Sequence, residues 1–302
     1  MSLNNTAAIE ATLAEMEQRR RASIFPAIWQ GAAIGVGLGL LVGLFVGAMV
    51  ICMVICVPCG IWAMFYYKRS LLSAIYKSEI MPRLVATLGE GVTYSPEGGI
   101  GIESFRNCHL FDVHSSDRCS SEDCVSGRIG KTAFVFSEAS YSYVTKDSDD
   151  EDQIHTEFSG IGYQADFNKH FKGITLLCSK RPGHLSKSEY PEVKLESPAF
   201  GKLFSVYSTD EVEARYILSP ALQERFVKLT ESIRQSSGED KVKIAFYDSW
   251  ILILIQSSKN RFEAKILSPL KLERVQQDLE VLQGLGRIVE ELNLNTRIWS
   301  KQ

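Results

Sequence analysis

The sequence predicts an α+β protein: an N-terminal transmembrane helical hairpin followed by a mixed, mainly antiparallel sheet domain with packed helices. Three observations predict it. Ala22–Tyr67 contains no Asp, Glu, Lys, Arg or His. Stretches with period-two alternation recur between Lys131 and Ile266. Two Ser-Pro pairs, Ser219-Pro220 and Ser268-Pro269, each open a stretch with helical apolar spacing.

Residues 1–21 form the first segment. Thr6–Arg21 is helix-permissive and sets Ile9, Leu13 and Met16 on one face, an amphipathic lead-in. Arg19, Arg20 and Arg21 close it.

The uncharged run at 22–67 is about 46 residues, so a single straight helix would extend about 70 Å against a hydrocarbon core of about 30 Å. Two spans use it fully, and the flanks require an even number of crossings. Arg19–Arg21 precede the run and Lys68 and Arg69 follow it, and basic residues favour the cytoplasmic side. The expected hairpin is Pro26–Phe45 and Ala48–Tyr67, turning near Val46–Gly47. A single tilted helix with an interfacial extension is the alternative. Gly31, Gly35, Gly39, Gly43 and Gly47 recur every fourth residue, a smooth stripe that a second helix can approach closely. Trp29, Trp62, Tyr66 and Tyr67 stand near the ends, where amphipathic rings favour the headgroup level. The run begins too far from the N-terminus and is too long for a secretory signal peptide. The expected location is the bacterial inner membrane, multi-pass, with both termini cytoplasmic.

Residues 68–101 form a membrane-proximal helix and hinge. Leu71, Leu72, Ile75, Ile80, Leu84 and Leu88 give an apolar stripe interrupted at Pro82, and Gly89–Gly101 breaks regularity. The remaining 102–302 is the expected cytoplasmic α+β domain, with a division into two subdomains near 180–192 as an option. Lys131–Thr145 and Gln153–Ala165 both change phase at similar distances from KDSDDED, which predicts a hairpin with a bulge or strong bend and a solvated acidic tip. Gly173–Cys178 and Lys202–Tyr207 are further strands. Thr209-Asp210 and Ser219-Pro220 start helices, the second lined by Leu222, Phe226, Leu229 and Ile233. Val242–Tyr247, Trp250–Gln256 and Arg261–Ile266 follow as strands. ILILI within the second is apolar on both faces and should be central. A final helix begins at Ser268-Pro269.

A net charge of −3 gives no electrostatic case for nucleic acid. Of seven cysteines, Cys52, Cys56 and Cys59 lie in the membrane run and Cys108, Cys119, Cys124 and Cys178 outside it, which favours reduced thiols over a disulfide framework. Gly130-Lys131-Thr132 looks like the end of a phosphate-binding loop, but the motif needs glycine at Val125 and a helix where a strand is expected. A tight turn explains it better. Cys108, His109, His114, Cys119 and Cys124 lack the close pairing that zinc usually requires, so no metal and no cofactor are expected. The acidic tip Asp147–Asp152 lacks the glycine and distal glutamate of a calcium loop. Asp210, Glu211, Glu213 and Arg215 read as a helix start with acids in its first turn. No catalytic residue is assigned. The densest polar group is Asp166, Asn168, Lys169 and His170, between Phe167 and Phe171, the first candidate for a binding surface.

Four runs carry a resemblance: EDCVSGRIGKTAFVFSEA (Glu122–Ala139), GYQADFNKHFKGITLL (Gly162–Leu177), VKLESPAFGKLFSVYSTDEVEARYILSPALQERF (Val193–Phe226) and VEELNLNTRIW (Val289–Trp299). The chain resembles a bacterial family of uncharacterised membrane proteins, domain-of-unknown-function family 3137. The resemblance implies a basic N-terminal stretch, a hydrophobic region read as two spans and a long C-terminal domain. It implies no activity, substrate or catalytic residue. Three functional expectations result. The first is an anchored adaptor whose cytoplasmic domain binds a protein partner or lipid headgroups, with Arg19, Arg20, Arg21, Lys68 and Arg69 flanking the membrane. The second is a membrane-anchored enzyme with a site near Asp166–His170. The third is a homo-oligomer assembled through the glycine-striped helix.

Overall fold

Two helices begin the computed structural model: α1 (Leu3–Val46) and α2 (Met49–Ile75), joined by Gly47 and Ala48 alone. The structure describes residues 3–89, 91–146, 150–167, 169–237 and 241–257. The expected strand Arg261–Ile266, the helix after Ser268-Pro269 and the tip residues 147–149 lie outside these. The described residues fall into two compact units, one up to Thr87 and one from Leu88.

The first unit is the hairpin and its exit. Gly47 takes φ +72, a left-handed conformation that glycine adopts without steric cost, and its N–H closes α1 on the Gly43 carbonyl at 2.9 Å. The lead-in is continuous with the first apolar helix, because nothing in 1–46 breaks it except Pro26, which the helix absorbs. The glycine stripe faces α2. A Cβ on Gly31 would lie 2.5 Å from the Ile61 Cα, one on Gly35 2.5 Å from the Val57 Cα, and one on Gly43 2.7 Å from the Met49 Cα. The helix backbones therefore meet where only hydrogen stands on the Cα. The opposite surface is unlike that of a soluble helix pair. Phe25, Trp29, Leu41, Leu44, Phe45, Val50, Ile51, Val54 and Trp62 are all exposed. Both helices are long and apolar enough to cross a membrane.

At the basic end, Arg19 pairs with Glu15, and Arg20 and Arg21 both pair with Glu17. Arg20 is buried, beside buried Leu13 and Met16. Past Ile75 the helix widens into a π turn, Tyr76–Ile80, in which the Met81 N–H reaches the Tyr76 carbonyl. Pro82 explains the widening: it brings no N–H, and its ring needs room against the turn before it. The chain then recovers α geometry in α3 (Met81–Val85).

The described residues of the second unit form nine strands: β1 (Thr93–Glu97), β2 (Arg118–Ile129), β3 (Thr132–Lys146), β4 (Asp152–Asp166), β5 (Thr175–Cys178), β6 (Glu192–Val193), β7 (Ser205–Ser208), β8 (Val242–Tyr247) and β9 (Trp250–Gln256). Their spatial order is β1-β2-β3-β4-β9-β8-β5-β7-β6. The expectation of a mixed sheet is refined, because every described pairing is antiparallel. β9 lies between β4 and β8, as its doubly apolar run requires, and Ile251–Ile255 are all buried. One sheet runs unbroken across residues 180–192, since β5 pairs with β7.

The β3–β4 hairpin carries the expected bulge. Tyr141 faces Phe158 and Ser142 faces Thr156, leaving Glu157 as the extra residue. Alternation then assigns two faces. On one, Phe246 meets Phe226 of α7 (Pro220–Ser237), and Phe167 and Phe171 pack edge-on or tilted around it. On the other, Tyr141, Phe158, Leu176, Ala245 and Leu254 form a core with Phe105, Cys108, Leu110 and Phe111. Phe105, on the short helix α4 (Ile102–Asn107), stacks on Tyr141 at 5.5 Å, and its full burial is worth about 2–3 kcal/mol.

Two local expectations are corrected, and one stretch to which the sequence assigned no element proves to be a strand. Gly89–Gly101 is not wholly irregular, since β1 forms inside it and pairs with β2. Its Pro96 is tolerated because β1 is an edge strand. The serine- and cysteine-rich stretch after Cys108 becomes a twelve-residue strand, β2. Of Lys202–Tyr207 only the end is strand, because Ser197 caps a helical turn, α5 (Pro198–Gly201), and residues 202–204 form its exit.

Candidate functional site

The 166–173 loop is the first place to look, and its polar groups are largely spent on its own architecture. Phe167 N–H donates to the Ser249 carbonyl at 2.9 Å and Phe171 N–H to the Asp248 carbonyl at 2.6 Å. Lys169 Nζ lies 3.3 Å from Glu213 Oε1 and 4.6 Å from the centre of the Tyr216 ring. Glu213 Oε2 accepts the N–H groups of Lys172 and Gly173, both at 2.9 Å. Glu213 belongs to α6 (Glu211–Ile217), whose first turn is capped by Asp210 accepting the Glu213 N–H at 2.9 Å. A buried carboxylate thus pins the loop to a helix, while Glu211 and Arg215 form an exposed pair one turn apart. His170 is exposed, and Asp166 is half-buried at the end of β4, where it pairs with Trp250. Asn168 lies outside the described residues.

The cysteine and histidine residues of 108–124 form no group of converging ligand atoms among the described residues, though His114 and Cys119 come to line one cleft. Cys108 is buried and donates to the Phe105 carbonyl, and burial pushes its thiol up to about 12. His109 meets the Tyr190 hydroxyl at 2.9 Å. Cys119 donates to the Ile100 carbonyl at 3.7 Å. Among the described residues, the carboxylates that do approach one another are Glu122, Asp123 and Glu138, within 4.8 Å. Glu122 and Glu138 are cross-strand partners, the bulge that follows Glu122 puts Asp123 at φ +54 beside them, and Tyr94 donates its hydroxyl to Asp123. Gly130 and Lys131 form the two-residue turn between β2 and β3, so the phosphate-loop likeness ends there.

The sequence reading missed a cleft. It has a volume of about 620 Å³ and lies between Gly98–Ile102, the 114–117 turn and the start of β2, with Arg106, His114, Asp117, Arg118 and Cys119 among its lining. Gly99 must be glycine: its φ is +130 and a Cβ would collide with Ser137. Ile100 N–H donates to Ser137 Oγ at 3.1 Å, and the Ile100 carbonyl receives the Ser121 hydroxyl. These bonds fix the loop against β2 and β3. The Asp117 side chain is nearly fully buried, and that burial alone would raise its pKa. The N–H groups of His114 and Val144 and the Tyr141 hydroxyl, at 2.8, 3.2 and 2.6 Å, outweigh that and hold it below the ordinary carboxylate value. The available signal was Ser95–Gly101, SPEGGIG, whose clustered glycines fit a loop held tight against other backbone as well as a hinge.

Residues 156–294 match the model of a family described as "Protein of unknown function (DUF3137)". This is the family that the sequence resembles. The matched region begins within β4, so the run Glu122–Ala139 precedes it. No curated protein matches the chain. A solved structure, the crystal structure of the mycobacterial trehalose monomycolate transport factor A, TtfA, is similar at 14% identity, covering 68% of this chain and 96% of that one with a TM-score of 0.32. At that TM-score the likeness carries no argument about function.

Proposed function

We propose that the chain is a membrane-anchored binding module. A two-pass hairpin in the bacterial inner membrane, with both ends cytoplasmic, carries an α+β domain that binds a protein partner or lipid headgroups and performs no chemistry of its own. The observation that carries this reading is the division of labour in exposed apolar surface. The hairpin turns glycines inward and large apolar side chains outward, a surface only lipid suits. In the sheet unit the residues suited to chemistry serve the architecture instead: Glu213 and Lys169 tie down a loop, Asp210 caps a helix, and Asp117 anchors a turn.

Cross-linking in native membranes, followed by purification of the full chain, tests the reading. A reproducible protein or lipid adduct on residues 88–257 is expected. An adduct-free domain, or one that turns over a substrate in an activity screen, overturns it.

A further inference from the structure

We propose that the cleft between Gly98–Ile102 and the start of β2 is an anion site that takes a phosphate group, with Arg118 as its main contact and Arg106 and His114 beside it. The proposal rests on the binding-module reading and names the chemistry of one of its ligands.

Charge gives the first argument. The lining includes two guanidinium groups and an imidazole against a single carboxylate. That carboxylate, Asp117, has a side chain 1% exposed and accepts three hydrogen bonds from within the fold, so little of it faces a ligand. Arg106 is shared with exposed Glu103. Arg118 is exposed and makes no ion pair among the described residues. A guanidinium matches two oxygens of a carboxylate or a phosphate at a time, which favours an oxyanion over a halide, and a phosphate has further oxygens left for Arg106 and His114.

Shape gives the second. A Cβ on Gly98 or Gly101 would meet nothing within 4 Å, so that wall is bare backbone that an anion can approach without a side chain in the way. At about 620 Å³ the cleft holds a phosphate together with part of the group it is attached to. The loop is already fixed by the Ile100 bonds to Ser137 and Ser121, so binding need not order it. The phosphate could belong to a soluble metabolite or to a lipid headgroup, and the test separates them.

Cys119 lines the cleft and reports on its occupancy. Cys124, also half-buried on β2 but outside the lining, is the internal control. Alkylation of both by N-ethylmaleimide is followed by peptide mass spectrometry on the full chain in three states. These are detergent with inorganic phosphate against chloride of equal ionic strength, phosphatidylglycerol nanodiscs, and phosphatidylcholine nanodiscs. Anion at twice its Kd should slow Cys119 about threefold, by simple occupancy, and leave Cys124 unchanged. Arg118→Gln, at an exposed position, should abolish the protection. Protection by inorganic phosphate identifies a soluble phosphate ligand; protection confined to phosphatidylglycerol nanodiscs identifies a headgroup. No protection in any state, equal slowing of Cys124, or protection that survives Arg118→Gln each overturns the site. An unprotected Cys119 beside a reproducible protein adduct on the domain would remove the cleft and leave the binding module standing.

Discussion

Glu213 shows how much of the second unit's order rests on single side chains. Its carboxylate serves two main-chain N–H groups and the Lys169 ammonium while almost out of water. Glu213→Ala would strand all three partners, and the expected loss is about 3 kcal/mol, because orphaned buried partners cost more than the bonds themselves contribute. Glu211→Ala on the same helix breaks only an exposed pair, and less than about 1 kcal/mol should follow. Denaturant unfolding of the detergent-solubilised protein compares the two. Asp117 makes a prediction in pH. Its folded value lies below its unfolded value, so its contribution is present above the unfolded value and disappears as pH falls through the folded one. The stability gap between the native protein and Asp117→Asn should therefore be open at neutral pH and close below about pH 4, the ordinary carboxylate range. A gap that does not vary with pH would mean that Asp117 does not ionise as described.

Among the elements, the paired α1 and α2 make the sharpest test. Gly35 and Gly37 are neighbours in sequence and opposites in surroundings. A Cβ on the first would press on Cys56 and Val57, and one on the second meets nothing within 4 Å. Gly35→Ala should cost roughly 1–3 kcal/mol by overpacking, whereas Gly37→Ala should be neutral or slightly stabilising. Thermal unfolding in one detergent reads the difference. This packing also bears on self-assembly: within one chain the stripe is already covered by the second helix. The hairpin, β8, β9 and α7 were legible in the sequence because each announces itself locally, by charge-free length, alternation or a Ser-Pro start. β1 and β2 were not. Their register is interrupted by Pro96 and a bulge, and β2 is rich in serine and charge, so neither shows clean alternation. The cleft was illegible for a related reason. Its walls are separated in sequence by β2's approach turn and become neighbours only when β1 and α4 settle against the sheet.

At the scale of the whole molecule, the proposed topology can be checked directly. Trypsin added to intact spheroplasts should leave residues 88–257 uncut, and the same treatment after permeabilisation should cleave at exposed sites such as Arg118 and Arg215. Cleavage before permeabilisation would reverse the orientation. Arg19 and Arg21 precede the charge-free run within α1, and Lys68 and Arg69 follow it within α2, so reversing the charge at both ends together should weaken retention of the proposed orientation. The joint between the two helices has its own consequence. With only Gly47 and Ala48 connecting them, a hairpin that crosses the bilayer as proposed offers its far side no loop that a receptor, antibody or envelope enzyme could grip. In that topology any ligand of the chain must reach it either within the lipid or from the side that holds residues 88–257.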